Sequence, residues 1–551
     1  MSDFLQTPPR LPDAWSSDGI LRDTLRWHVG DDAFGLAEPE LKEMGRIATD
    51  PAVLALATRA EREEPEHLPY GTWGDRVDEI RVSDAWYELG RLGIAAGVTG
   101  LPYEDSQFGE QARTIASALL VLWGPSSALY SCPVAMTDAA ARTLVQNGGP
   151  ADREVVARLT ERDFDRAWTS GQWMTETAGG SDVGRTGTIA RQDGTGAWRL
   201  YGIKWFTSAT TSQMALTLAR PEGSGPGSKV LGMFRVERHL PDGSPNNILV
   251  RRLKDKLGTR ALPTAELELH GALAYPIGDP AEGGGLRRIA TMLNITRLHN
   301  AIGSAGAMAR GLAWARSYAE VREVFGRPLA VMPAHRATLA ALAVDYAATL
   351  TLALRCAVLT GKTEHGTATP EEVAALRALT PIAKAATARW AIAGVTEAME
   401  CVGGVGYCED STIPALVRNT HVQPIWEGTT NVLSLDLLRV AQRSNGVDAL
   451  VEDGKRLAGL AAEVPEVAQV AQTTVQGLEA YRSMLEKLDQ EEIAEAYART
   501  IALGLAATYT SALLCAQAAE TKDERAISLA HGFSLRGLVV PPPPDLGLAL
   551  D

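Results

Sequence analysis

From the N-terminus to about residue 170, apolar residues recur at three- and four-residue steps, as in SDAWYELGRLGIAAGV (83–98), where Ser83 or Asp84 is the candidate helix cap. This region reads as helices joined by Pro/Gly loops. Between about 171 and 285 the pattern changes to short alternating runs, AWRLYGIKWFTS, MALTLAR, KVLGMFRVER and AELELHGALAY, separated by PEGSGPGS and PDGSPNN. These are strands with turns between them. After GDPAEGGG the helical spacing returns and runs to about 440. Ala388, Ile392, Val395, Met399 and Val402 line one helix face there, and Gly403 and Gly404 end it. The pattern predicts a mainly α protein with a central β domain. Its segments are 1–170 helical, 171–285 β, 286–440 helical, a further helical stretch 441–538, and an extended tail 539–551 (VVPPPPDLGLALD).

Composition narrows this picture. A chain of 551 residues is too long for one hydrophobic core. Charged residues interrupt the apolar stretches before the 18 or so needed to span a bilayer, so no transmembrane helix is expected. The start, MSDFLQTPPRLPDAW, has neither the basic opening nor the apolar core of a signal peptide, which predicts a cytoplasmic protein. Cys132, Cys356, Cys401, Cys408 and Cys515 are scattered without CxxC spacing, so neither a disulfide framework nor a metal site is expected. The net charge of -14 repels phosphate backbones at long range.

Four stretches carry candidate chemistry. In WMTETAGGSDVGRTG (173–187), Gly179 and Gly180 precede Ser181, and such a loop can cradle a pyrophosphate with backbone N–H groups and a hydroxyl, or form an ordinary turn. GIKWFTSATT (202–211) sets aromatic planes beside hydroxyls, which suits a flat heterocycle but also core packing. In EVREVFGRPLAVMPAHRA (320–337), Arg322 can fork onto a phosphate or stand in solvent on a helix. The last is the pair ECVGGVGYCED and IWEGTTN, in which Glu427 is either a general base or a helix cap.

Taken together, the motifs MTExxGGSD, KWFTS, RxxFG, GGxGY and WEGT resemble the flavin-dependent acyl-CoA dehydrogenases, in order and spacing, over about 171–440. PDGSPNNILVRRLKDKLGTRA, AMECVGGVGYCED, SALYSCPVAMT and the helical extension after 440 narrow the resemblance to the AidB-like branch, proteins of the adaptive response to DNA alkylation. The resemblance implies an N-terminal helical domain, a β-barrel domain, a C-terminal four-helix bundle, a helical extension and an FAD site. Thr175 and Ser181 would bond the flavin edge and pyrophosphate. Trp205 and Thr207 would pack on the isoalloxazine and reach its N5 side. Arg322, Gly403 and Gly404 of a neighbouring subunit would hold the adenosine diphosphate end, with Thr429 and Asn431 lining it from the subunit that carries Glu427. A homotetramer, a dimer of dimers, follows from that sharing. Arg297 and Asn294 would contact substrate, although Asn294 stands where the family has an aspartate for the CoA chain. Val324, Glu400 and Pro333 also depart from the main family pattern.

The activity implied is FAD-dependent dehydrogenation of an acyl-CoA. Glu427 would remove the α-proton while a hydride leaves for flavin N5, and the electrons would pass on to an electron-transfer flavoprotein or to oxygen. The other family position for a base falls at Thr296, which cannot serve. A second reading is a flavoenzyme that oxidises a C–C, C–N or N–N bond of a specialised metabolite. A third, DNA binding by the extension, meets an adverse charge: residues 441–551 hold nine Lys/Arg against sixteen Asp/Glu.

Overall fold

The computed structural model describes residues 6–104, 106–488 and 490–534. The expected tail 539–551 lies outside the described residues. Packing gathers the chain into two compact units. One comprises the described residues within Met1–Thr49, Asp105–Pro125 and Arg297–Asp551, and the other comprises Asp50–Glu104 and Ser126–Thr296.

The alternating runs form a small barrel in the second unit. Trp198–Ser208 pairs antiparallel with Thr264–Ile277, which pairs with Gly232–Glu237, which pairs with Met214–Pro221. Ile189–Gln192 closes the circuit by lying against both Trp198–Ser208 and Met214–Pro221. Ser170–Trp173 and Ile248–Leu253 add to it at Met214–Pro221 and Thr264–Ile277. Leu200, Phe234, Val236, Leu267 and Leu269 fill the core, and closure leaves few unpaired strand edges. Helix Asp84–Ala95 begins at Ser83, whose hydroxyl accepts the Ala85 N–H at 3.3 Å.

A hairpin, Glu66–Tyr70 with Arg76–Arg81, interrupts the helices of the N-terminal region and was not expected from the apolar spacing. Its strand Arg76–Arg81 buries Asp78 and Ile80 while Val77 is exposed, so the apolar residues there do not mark the buried face at period two. It is held by Asp78, buried at positive φ, which accepts from Arg76 at 2.8 Å and from the Val250 N–H at 3.1 Å.

The first unit is helical. Pro333–His365, Pro370–Val402 and Thr430–Arg443 pack with the later turns of Gly285–Val321, and the extension adds Gly446–Gly459, Ala468–Lys487, Glu491–Thr521 and Glu524–Ser534. Pro333–His365 and Glu491–Thr521 are long and apolar enough to cross a membrane by length and composition. The expectation of no such helix therefore does not hold on composition alone. Packing explains the apolarity, since 94% of the apolar window of Glu491–Thr521 is buried inside the protein, as is 56% of that of Pro333–His365.

A buried polar knot ties the extension to the bundle. Arg355 donates to Asp453 at 2.9 Å and to the Tyr509 hydroxyl at 3.2 Å, and Tyr509 donates to Asp453 in turn. Burial raises the Asp453 pKa, but Arg355 and the hydrogen bonds outweigh it and hold the carboxyl below its usual range. Asp453→Leu leaves the Arg355 charge without its counter-ion. Denaturant unfolding of that variant is expected to show a loss of about 3–5 kcal/mol.

Candidate active site

The glycine loop after Ser170–Trp173 is built on one buried ion pair. Glu176 accepts from Lys204 Nζ at 2.8 Å, from the Thr188 hydroxyl at 2.6 Å and from the Gly187 N–H at 2.7 Å, and Lys204 is wholly buried. Burial opposes the Glu176 charge, but Lys204 and these donors prevail and hold its carboxyl below the usual range. The Trp205 N–H donates to Thr175 O at 2.9 Å, stitching the loop to strand Trp198–Ser208. Close packing within the loop favours glycine, because a Cβ at Gly179 would stand 3.1 Å from Asp182 O. Ser181 is exposed at the loop's crest and Thr175 is half-buried.

On that strand the residues divide in a way the motif did not show. A bulge between Lys204 and Thr207 shifts the register against Thr264–Ile277. Thr207 is buried and donates its hydroxyl to Ala265 O at 2.7 Å, inside the sheet. Trp205 receives the Lys254 ammonium 3.5 Å from its ring centre. The ring open to solvent is that of Phe206, 52% exposed, and the half-exposed hydroxyl beside it is that of Ser208. Both lie in the stretch 202–211 that the sequence marks as suited to a flat heterocycle, where the family resemblance gives the flavin contacts to Trp205 and Thr207. The available signal is the shorter spacing of KWFTS, and only the bulge shows which face each residue takes.

A cavity of about 350 Å³ opens in the same unit, walled by Trp86, Tyr87, Tyr130 and Phe164, with Thr211 and Ser212 on its polar side. Tyr130 enters it from a turn in which Ala128 and Leu129 have φ of 43° and 61°, held by the Trp86 indole donating to Ala128 O at 3.0 Å. Gly90 makes room, since a Cβ there would meet the Tyr130 ring at 2.4 Å. This cavity joins four separate segments, which is why no single motif announced it.

In the first unit Glu427 sits in the turn before helix Thr430–Arg443 at φ 57°, a left-handed conformation uncommon for glutamate. It is not the cap. Thr429 is, its hydroxyl accepting the Val432 N–H at 3.5 Å. Arg297 donates from Nε to Glu427 O at 3.2 Å and from Nη1 to Asp436 at 3.0 Å, so its guanidinium buttresses this turn. Ile425 is exposed, while Trp426 is half-buried and donates to Gln423 at 3.1 Å. Thr296 is buried and bonded to its own helix through Met292 O. Asn294 is half-buried on that helix, and Asn431 accepts from Arg499 of the extension at 3.2 Å.

Gly403, at φ 69°, ends helix Pro370–Val402, and a Cβ built on Gly403 or Gly404 would meet no atom within 4 Å. Their backbone is open to a ligand. Glu400 is exposed. Arg322 follows the end of Gly285–Val321 and donates to Gln6 at 3.2 Å. Beyond it a two-residue turn, Phe325 at φ 50° and Gly326 at φ 75°, presents a phenyl ring that is 95% exposed.

In the second unit an exposed ring beside the hydroxyls of a glycine loop, and in the first unit open backbone glycines, are each chemistry that suits a part of a flavin dinucleotide. Comparison with known proteins agrees. Residues 6–166 match the adaptive response protein AidB N-terminal domain, 171–272 the acyl-CoA dehydrogenase middle domain, and 283–442 the acyl-CoA dehydrogenase C-terminal domain. Acyl-CoA dehydrogenase family member 11 of Caenorhabditis elegans is 40% identical, over 94% of this chain and 86% of its own. The putative acyl-CoA dehydrogenase AidB of Escherichia coli (strain K12) is 34% identical over 79% of each. The crystal structure of C. elegans ACDH-11 in complex with C11-CoA superposes with a TM-score of 0.94 at 38% identity, covering 98% of this chain and 94% of that one. The chain belongs to the acyl-CoA dehydrogenase family and is an FAD-dependent oxidoreductase. Within the family it stands in the AidB-like branch.

Proposed function

We propose that this protein dehydrogenates a saturated acyl-CoA, with Glu427 as the general base. The observation that carries the reading is the Glu427 turn: a carboxylate on a left-handed residue, excluded from helix capping by Thr429 and braced through its own carbonyl. Strained backbone of this kind persists where the surroundings over-determine it, and it concentrates at catalytic positions. Bound FAD supplies the hydride acceptor. Phe206 and Ser208 offer it a ring face and a hydroxyl, Ser181 and the loop N–H groups its pyrophosphate, and Glu427 takes the α-proton of the substrate. The aromatic cavity beside Thr211 and Ser212 suits the apolar end of an acyl chain, and the relative crystallised with C11-CoA supports a medium length.

Assembly into a homotetramer is part of the same reading, supported by Phe325, Val405 and Tyr407, which are large, apolar and exposed. The DNA reading has less support. In the basic run 251–256, Arg252 and Lys254 pair with Glu266, and Lys256 donates to Thr259 O and Leu262 O, so three of its four cations already have partners, although Arg251 and Arg252 are exposed.

The test is anaerobic mixing of the purified yellow protein with a series of saturated acyl-CoAs that includes C11-CoA, with free acids and amines as the comparison. Bleaching of the flavin by acyl-CoAs alone is expected. Bleaching by amines alone would instead favour a tailoring enzyme acting on C–N or N–N bonds, and no bleaching by any acyl-CoA would overturn the proposal.

A further inference from the structure

The turn that carries Glu427 is gripped on three successive carbonyls. Lys384 Nζ, from helix Pro370–Val402, donates to Trp426 O and to Gly428 O, each at 2.8 Å. Arg297 Nε takes the carbonyl between them, Glu427 O, at 3.2 Å. The backbone satisfies these donors with Glu427 at φ 57° and Gly428 at φ 102°. A left-handed conformation at a residue with a Cβ is strained, so something must hold it. Lys384 is well placed to do so. Its side chain is wholly buried, whereas a helix lysine ordinarily extends its ammonium to water.

The charges around this lysine are unevenly shared. Asp436, on helix Thr430–Arg443, binds Arg297 at 3.0 Å and Arg377 at 2.6 Å. Those two arginines thus have a carboxylate partner, while the hydrogen bonds of Lys384 go to carbonyls. Burial lowers the Lys384 pKa to about 7, the Glu427 charge working to raise it and the Arg297 charge to lower it further.

We propose that Lys384 is a positioning residue for Glu427: its ammonium holds the backbone from which the carboxyl projects and places a cation beside it. The link to catalysis rests on the base assigned under the proposed function, whereas the grip on the turn does not.

Two variants of the FAD-loaded full chain test it. Lys384→Met removes the donors, and Lys384→Gln keeps two N–H donors while removing the charge. The first measurement is amide hydrogen exchange over 422–430. The Ile425 and Trp426 amides, which donate to Val422 O, are expected to exchange about tenfold faster in Lys384→Met and to recover most of their protection in Lys384→Gln. The second is flavin reduction by C11-CoA, or by whichever acyl-CoA reduces the wild type. Its limiting rate is expected to fall about 10- to 100-fold in Lys384→Met with half-saturation nearly unchanged, and by less in Lys384→Gln. In Lys384→Gln the acid limb of the rate profile should also move to higher pH, because a cation beside the carboxylate has gone.

Unchanged exchange in Lys384→Met overturns the positioning role. Faster exchange with an unchanged reduction rate overturns the link to the base. If Lys384→Met does not fold, an unmoved acid limb in Lys384→Gln overturns it. A wild type that no acyl-CoA reduces would end the proposed function, while the exchange measurement would still decide whether Lys384 holds the turn.

Discussion

Glu427→Gln is expected to slow flavin reduction by roughly two or more orders of magnitude while FAD stays bound and the thermal melt hardly moves. Glutamine keeps the size and polarity of the side chain and removes the proton acceptor. The backbone contacts survive, since Lys384 and Arg297 grip carbonyls rather than the carboxyl. The neighbouring cap gives the contrasting control. Thr429→Ala should lower stability by about 1 kcal/mol, because Thr429 caps helix Thr430–Arg443, and should leave far more of the reduction rate intact. Rapid-mixing reduction and a melt on each variant separate the two roles. Near-normal reduction in Glu427→Gln would remove Glu427 as the base, and Thr296, buried and bonded to its own helix, is no substitute.

Lys204→Met is expected to remove most of the bound FAD and about 3–5 kcal/mol of stability. The substitution leaves the Glu176 carboxylate buried with only the Thr188 and Gly187 donors, and it loosens the loop that carries Thr175 and Ser181. Adding Glu176→Gln should recover much of the stability, because no uncompensated charge then remains inside. The ion pair also sets an acid limit. Glu176 titrates below its ordinary value of 4.5 in the folded protein. Its contribution is therefore complete above that value and is lost as the pH falls through the lowered one. Without Lys204 the loss should begin at a higher pH, read as FAD fluorescence released during an acid titration. FAD retention by Lys204→Met equal to that of the wild type would show that the loop does not depend on this pair.

The balance between sequence and structure differs from one element to the next. Helix Pro370–Val402 was readable because its apolar face repeats at 3.6 residues and Gly403 stops it, and both signals are local. The barrel strands were readable for the same reason at period two. Hairpin 66–81 was not, because its one buried carboxylate, Asp78, is satisfied by a backbone N–H far along the chain. Glu427 was found through its motif, yet its choice between base and cap could not be read there. That choice depended on which hydroxyl reaches the Val432 N–H, and the structure assigns it to Thr429.

The sequence by itself determined the fold class, the order of its segments, the family and the flavin chemistry, because these are written in periodicity and in motifs whose residues lie close together along the chain. Tertiary structure alone decided which side chains of KWFTS face outward, since one bulge reverses the alternation and buries Thr207 behind Phe206 and Ser208. It alone decided that Lys384 and Arg297, 43 and 130 residues before Glu427, close on three neighbouring carbonyls. Contacts of that reach arise only when separate helices pack, and no local pattern encodes them.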